Sequence, residues 1–144
     1  SLQFEAQVMM ATATEKRTTL VVGLGKSGQA ASLMLARQGL HVRASDRLPE
    51  DKLTCAPRLR AAGIELLCGD QPAELADGVD MVVVSPGVPA THPILVRAIA
   101  LGIPVYSELE LAWQLLRGRT RFIAVTGSNG KSTTVTLTGH LLNQ

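Results

Sequence analysis

Lys131 and Ser132 directly follow Gly130 inside Thr126-Gly-Ser-Asn-Gly-Lys-Ser-Thr133, an order of residue types suited to cradling a triphosphate. Gly127 and Gly130 let backbone N–H groups approach phosphate oxygens with no Cβ in the way. A helix beginning near Lys131 adds the partial positive charge of its N-terminus. In this reading Lys131 reaches the β/γ-phosphates and the Ser132 hydroxyl is a ligand for Mg²⁺. The spacing departs from G-x-x-x-x-G-K-[ST], because Val125 stands where that pattern begins with glycine and the glycine sits at Gly127. The element expected to position the loop is a short buried strand over 123–125, feeding the turn 126–130.

A second loop of phosphate-binding type lies near the other end of the chain. A β-branched, apolar strand over 18–22 runs into Gly23-Leu-Gly-Lys-Ser-Gly28, and a helix is expected over 29–38 with Ala30, Leu33, Met34 and Leu35 inward. This is G-x-G-x-x-G between a strand and a helix, closed by Gly39 as a C-cap. The next strand, 41–45, ends at Asp46, where an acid commonly accepts hydrogen bonds from a ribose; taken alone, the pattern suggests a dinucleotide.

The remaining elements alternate in the same way. A short helix near 57–62 ends at Gly63, a third strand covers 64–67, and a brief helical piece sits near 73–76. Residues 81–84 form a fourth, buried strand that ends in the rigid loop Ser85-Pro-Gly-Val-Pro89. His92-Pro93 starts a helix to Leu101 with Leu95, Ala98 and Ile99 on one face, His92 serving as its cap. A fifth strand covers 104–107, and a helix over 108–116 places Leu109, Ala112, Trp113 and Leu116 at helical spacing, with Trp113, the only tryptophan, read as core or interdomain packing. Five β–α alternations predict an α/β fold, a Rossmann-like, mostly parallel sheet with helices on both faces. Loops after strands one, two and four then share one edge, which brings Lys26, Ser27, Asp46, Arg47, Ser85 and Gly87 to a nucleotide-sized cleft.

Composition narrows the function classes. The 144 residues are 46% hydrophobic, enough for one domain with a real core. Fourteen Lys and Arg against twelve Asp and Glu give a net charge of +2, and no basic run suggests a nucleic-acid partner. Cys55 and Cys68 have no metal-ligand spacing and read as reduced structural thiols. No apolar run reaches membrane-spanning length and no signal-peptide pattern is evident, so a cytoplasmic protein without a membrane partner is expected. Residues 1–17 read as a disordered leader or an expression scar, 18–117 as the first domain and 118–144 as the start of a second, truncated one, with a basic linker over 117–121. His41, His140, Glu108 and Glu110 receive structural readings, the two acids as partners of a helix dipole.

The two loops in this order, with Ser-Pro-Gly between them, resemble the Mur ligases, above all their D-glutamate-adding branch. The similar stretches are Gly23-Leu-Gly-Lys-Ser-Gly28, Ser85-Pro-Gly-Val with His92-Pro93, Gly102-Ile-Pro-Val-Tyr-Ser-Glu-Leu-Glu-Leu111 and Ala124-Val-Thr-Gly-Ser-Asn-Gly-Lys-Ser-Thr133. The shortened second loop is also similar to that of folylpolyglutamate synthetases. The resemblance implies ATP and Mg²⁺ as cofactors, UDP-N-acetylmuramoyl-L-alanine and D-glutamate as substrates, and an acyl-phosphate route to an amide bond in peptidoglycan synthesis. It implies ATP contacts from Gly127, Ser128, Asn129, Gly130, Lys131, Ser132 and Thr133, with Lys131 catalytic and Ser132 on Mg²⁺. It implies that Lys26 and Ser27 meet the diphosphate, Asp46 and Arg47 the uracil end, and that Gly87 lines the cleft. Members of the family often carry Asp-Thr-Arg where this chain has Asp46-Arg47-Leu48. Further metal ligands and the amino-acid-binding domain are implied beyond Gln144, so these residues alone are not expected to ligate, and the full-length protein is expected to be a monomer. Two other classes stay open on the residues: a nicotinamide-dependent oxidoreductase, on Gly23 to Gly28 with Asp46, and a non-catalytic nucleotide-binding module.

Overall fold

A computed structural model of the chain describes residues 17–116 and 123–142. The expected leader up to residue 16 and the expected linker lie outside the described residues. The elements are β1 (Thr18–Val22), α1 (Lys26–Arg37), β2 (His41–Asp46), a 3-10 turn (Glu50–Lys52), α2 (Ala56–Ala61), β3 (Glu65–Cys68), a second 3-10 turn (Ala73–Ala76) and β4 (Met81–Val84). They continue with α3 (Pro93–Ala100), β5 (Val105–Ser107), α4 (Glu108–Leu116) and α5 (Lys131–Leu142). The five strands form one parallel sheet in the order β3-β2-β1-β4-β5, with β1 paired to β2 on one side and to β4 on the other. Strand order therefore reverses between β1 and β4, and loops diverging from that point open a crevice at the carboxyl edge.

Alternate residues of each central strand feed two cores. Val21, Ala44 and Val83 meet Leu35 of α1, Leu59 of α2 and Leu111 of α4 on one face. Leu20, Val22 and Val82 meet Ile94, Leu95 and Ala98 of α3 and Ala76 on the other. Helices cover both faces, so the central strands are apolar on both sides and read as Thr-Thr-Leu-Val-Val and Met-Val-Val-Val rather than as alternating patterns. At the sheet's outer side Arg60 makes a two-pronged ion pair with Glu50, 2.5 and 2.6 Å long, tying the first 3-10 turn to α2. That hydrogen-bonded guanidinium holds the Glu50 carboxyl below its ordinary range.

Several expected details are corrected. Helix α1 starts at Lys26, because Gly25 is its extended N-cap and Gly28 already lies in the first turn. Its buried stripe is Gly28, Ala31, Ser32 and Leu35, with Ala30 exposed. In α3 the buried residues are Ile94, Leu95 and Ala98, and Ile99 faces outward at 66% exposure. In α4 the core face carries Glu108 and Leu111, whereas Leu109 is 78% and Trp113 49% exposed. That helix is apolar on several sides, so two stripes compete at helical spacing, and the short connection from β5 selects the one through Leu111. The expected strand over 123–125 does not form; residues 123–127 carry no regular structure and Ile123 is 64% exposed. A strand needs a neighbour for its N–H and C=O groups, and the pairings of the described sheet all fall between Thr18 and Ser107.

Candidate functional site

The carboxyl edge of the sheet holds a cleft of about 590 Å³. Gly23, Gly25 and Ser27 line it from the β1–α1 loop, Asp46 and Arg47 from the end of β2, Gln71 from the loop after β3, Ser85 to Pro89 from the loop after β4, and His92 from the start of α3. The structure thus brings Ser27, Asp46, Arg47, Ser85 and Gly87 together. Lys26 stands apart: it is exposed on the first turn of α1 and is not part of the lining.

The glycines of the first loop have separable reasons. Gly23 has φ of +94°, and a Cβ there would lie 2.8 Å from Ser85 Cβ. At Gly28 a Cβ would lie 2.0 Å from the Gly23 carbonyl oxygen, so only glycine lets α1 begin this close to the end of β1. At Gly25 a Cβ would meet nothing within 4 Å, so the backbone there is open to a ligand. The first helical hydrogen bond runs from Gln29 N to Gly25 O at 3.0 Å, leaving the amides of the first turn without intrahelical acceptors. Free donors, helix polarity and open backbone together favour an anion above Gly25.

Three side-chain arrangements hold the cleft's shape. Asp46 accepts from Leu24 N through Oδ2 (2.7 Å) and from Leu48 N through Oδ1 (2.9 Å), joining the loops after β1 and β2. Ser85 Oγ donates to the buried Glu108 carboxylate and stands 3.2 Å from the Gly23 carbonyl oxygen, linking the loops after β1 and β4 to the head of α4. The helix dipole therefore does not alone account for Glu108, although Ser107 Oγ also caps α4 by accepting from Glu110 N at 3.1 Å. His92 Nδ1 accepts from Ile94 N as expected of a cap, and its Nε2 contacts Gln71 Oε1 at 3.3 Å. Gln71 Nε2 in turn donates to the fully buried Ser45 hydroxyl at 2.5 Å. Sequence reasoning missed Gln71, His92 and Glu108 as parts of the site. Gln71 had a usable signal, since Gly69-Asp-Gln-Pro72 follows a strand and must also open at the carboxyl edge.

Asp46→Asn should destabilise the fold by about 1–3 kcal/mol, because an amide nitrogen would then face one of the two backbone donors. Urea unfolding of the variant beside the unsubstituted chain measures this, and an unchanged midpoint and slope would remove Asp46 as a brace.

In the second loop Gly127 and Gly130 have φ of +149° and +75°. Lys131 Nζ donates to the Gly127 carbonyl, and the first helical hydrogen bond of α5 runs from Thr134 N to Gly130 O at 2.9 Å. Amides at the start of α5 are thus left without helical acceptors beside exposed Ser132 and Thr133. Helix α5 buries none of its residues. Among the described residues no group of three or more His, Cys, Asp or Glu gathers as metal ligands, and no helix is long and apolar enough to cross a membrane. Cys55 and Cys68 are free, and burial raises the Cys68 thiol above its ordinary value.

Residues 17–107 match the family model described as the N-terminal domain of MurD-like Mur ligases. Among curated proteins, the UDP-N-acetylmuramoylalanine–D-glutamate ligase of Geobacillus kaustophilus is 43% identical over 129 residues, covering 89% of this chain and 28% of its own. The protein of the same name from Streptococcus mutans is 42% identical over 130 residues, covering 90% and 28%. Among solved structures, the UDP-N-acetylmuramate-alanine ligase MurC of Thermotoga maritima superimposes with a TM-score of 0.63 at 26% identity, over 90% of this chain and 29% of that one. The chain thus spans less than a third of the length of these relatives.

Proposed function

Because this chain belongs to the Mur ligases of the MurD-like type, we propose that it is the nucleotide-holding part of an ATP-dependent ligase joining D-glutamate to UDP-N-acetylmuramoyl-L-alanine in peptidoglycan synthesis. The observation that carries this reading is the open backbone at Gly25 beneath the free amides of α1, in a cleft whose Asp46 is occupied by Leu24 N and Leu48 N. A diphosphate fits the first feature, and the second holds the loops after β1 and β2 together on either side of it.

In this reading residues 18–117 are the substrate domain and 118–144 open the ATP-binding domain of a cytoplasmic enzyme. The Lys26 and Ser27 backbone and the Ser27 hydroxyl meet the diphosphate, Asp46 and Arg47 lie toward the uracil, and Gly87 lines the wall. The positive-φ glycines Gly127 and Gly130, with Ser128, Asn129 and Thr133, wrap the phosphates of ATP. Lys131, the one lysine or arginine among residues 123–142, moves from its contact with the Gly127 carbonyl to the β/γ-phosphates, where it offsets negative charge. The exposed Ser132 hydroxyl at the helix start is a hard oxygen donor and fits Mg²⁺ as one ligand. ATP supplies the phosphoryl group that activates the substrate carboxylate; this chain's residues hold and orient the two nucleotides.

Calorimetric titration of the chain with UDP, NAD⁺ and, for reference, the full muramoyl nucleotide tests the proposal. Uridine nucleotides should bind and NAD⁺ should not. NAD⁺ binding without UDP binding would return the cleft to a nicotinamide cofactor.

A further inference from the structure

The cleft wall contains a hydrogen-bond chain that the roles above leave unused. His92 Nδ1 lies 3.3 Å from Ile94 N, and a backbone N–H can only donate. Nδ1 is therefore the acceptor nitrogen, and the neutral ring carries its proton on Nε2. That Nε2–H points to Gln71 Oε1 at 3.3 Å, which fixes which end of the amide is oxygen. The opposite end, Nε2, donates to Ser45 Oγ at 2.5 Å. A serine hydroxyl can accept or donate and would tolerate either amide orientation. His92 would not, since a flipped Gln71 would set an NH₂ group against an N–H. The lock on the amide is thus His92, itself held by the first turn of α3.

Gln71 is half-buried and lines the cleft. With one amide hydrogen given to Ser45 and one oxygen lone pair taken by His92, it keeps one N–H and one lone pair for a ligand. Presented together on one edge of the amide, such a pair is the complement of an imide edge, in which an N–H sits next to a carbonyl. We propose that Gln71 reads the base of the bound nucleotide, accepting from the N3–H of uracil and donating to the O4 carbonyl, and that His92 holds the amide in the orientation that makes this choice. The inference rests on the uridine-nucleotide reading of the cleft. Cytosine in the same pose presents an acceptor at N3 and an amine beside it. Both contacts with a locked Gln71 become like against like, and unpaired groups in a partly buried site discriminate strongly. Gln71 is a specificity residue in this scheme and His92 a positioning residue.

The test is calorimetric titration of this chain with UDP and CDP, in the unsubstituted form and in two variants. Gln71→Leu removes the amide while keeping much of its volume. His92→Asn retains a good helix cap but is too short to reach Gln71, so the amide is free to flip. The unsubstituted chain should prefer UDP by about tenfold or more, as expected for a paired donor and acceptor on a base edge. Gln71→Leu should weaken UDP binding and bring the two affinities to within about twofold. His92→Asn should lower the preference chiefly by letting CDP bind better, a change that loss of packing alone would not produce. Equal binding of UDP and CDP by the unsubstituted chain, or an unchanged preference in both variants, would overturn the role of Gln71 while leaving the uridine-nucleotide cleft in place. Failure of UDP and of the muramoyl nucleotide to bind at all would instead bring down the underlying reading, and this inference with it.

Discussion

Replacing Gly28 by alanine should cost the first domain about 3 kcal/mol or more, and replacing it by valine should abolish cooperative unfolding. The added Cβ would sit 2.0 Å from the Gly23 carbonyl oxygen and 3.0 Å from its carbon. Both atoms are backbone, so no side chain can swing aside. Relief requires α1 to lift from the end of β1, and that same helix carries Ala31 and Leu35 into the core. Gly25→Ala is the matched control, because its Cβ meets nothing within 4 Å. It should unfold within about 1 kcal/mol of the unsubstituted chain while losing affinity for a diphosphate, since it narrows the open backbone. Thermal and urea unfolding of both variants measure the contrast. Equal stability of the two alanine variants would mean that the close approach of α1 is not what Gly28 serves.

In a full-length ligase carrying these residues, Lys131→Ala should lower turnover by about 10²- to 10³-fold, the usual consequence of removing one preorganised donor from charge that develops in a transition state. Residues 123–142 contain no other lysine or arginine to stand in for it. Folding should be unaffected, because the Lys131 side chain is exposed and its ammonium contacts a carbonyl of its own loop. Phosphate release at saturating ATP, with circular dichroism beside it, separates the two effects. Turnover within about threefold of the unsubstituted enzyme would remove Lys131 from the phosphoryl-handling role.

The sheet was legible because its signals are local. β1, β4 and α4 begin and end at the expected residues, since β-branched runs, Ser85-Pro86 and the Ser107 cap mark their ends within a few positions. Gly39, Gly63 and Gly102 take positive φ after their helices, where no other residue type is as easily accommodated. What could not be read was decided by packing. Helix α4 is apolar on more than one side, and its core stripe includes a carboxylate, Glu108, whose partner Ser85 is remote in sequence. Residues 123–125 have the composition of a strand, but composition supplies no neighbour to pair with. In the cleft, the backbone-binding loop was visible as glycine spacing. The side chains that shape its wall were not, because Gln71 and His92 meet only after β3 and β4 have been placed on opposite sides of β1.

That strand order also sets a sequence of assembly. As the chain leaves the ribosome, β1, β2 and β3 become available first and can pair as one side of the sheet. The second side of β1 stays open until residues 81–84 arrive, and the Ser85 contact to Glu108 waits for β5 and the head of α4. The cleft is therefore among the last parts of the domain to be completed. Under the proposed function a nucleotide would have no finished site on the half-built sheet, so its binding energy would act only on the fully assembled domain, drawing newly made chains toward that state by an amount that grows with the logarithm of the nucleotide's concentration over its dissociation constant.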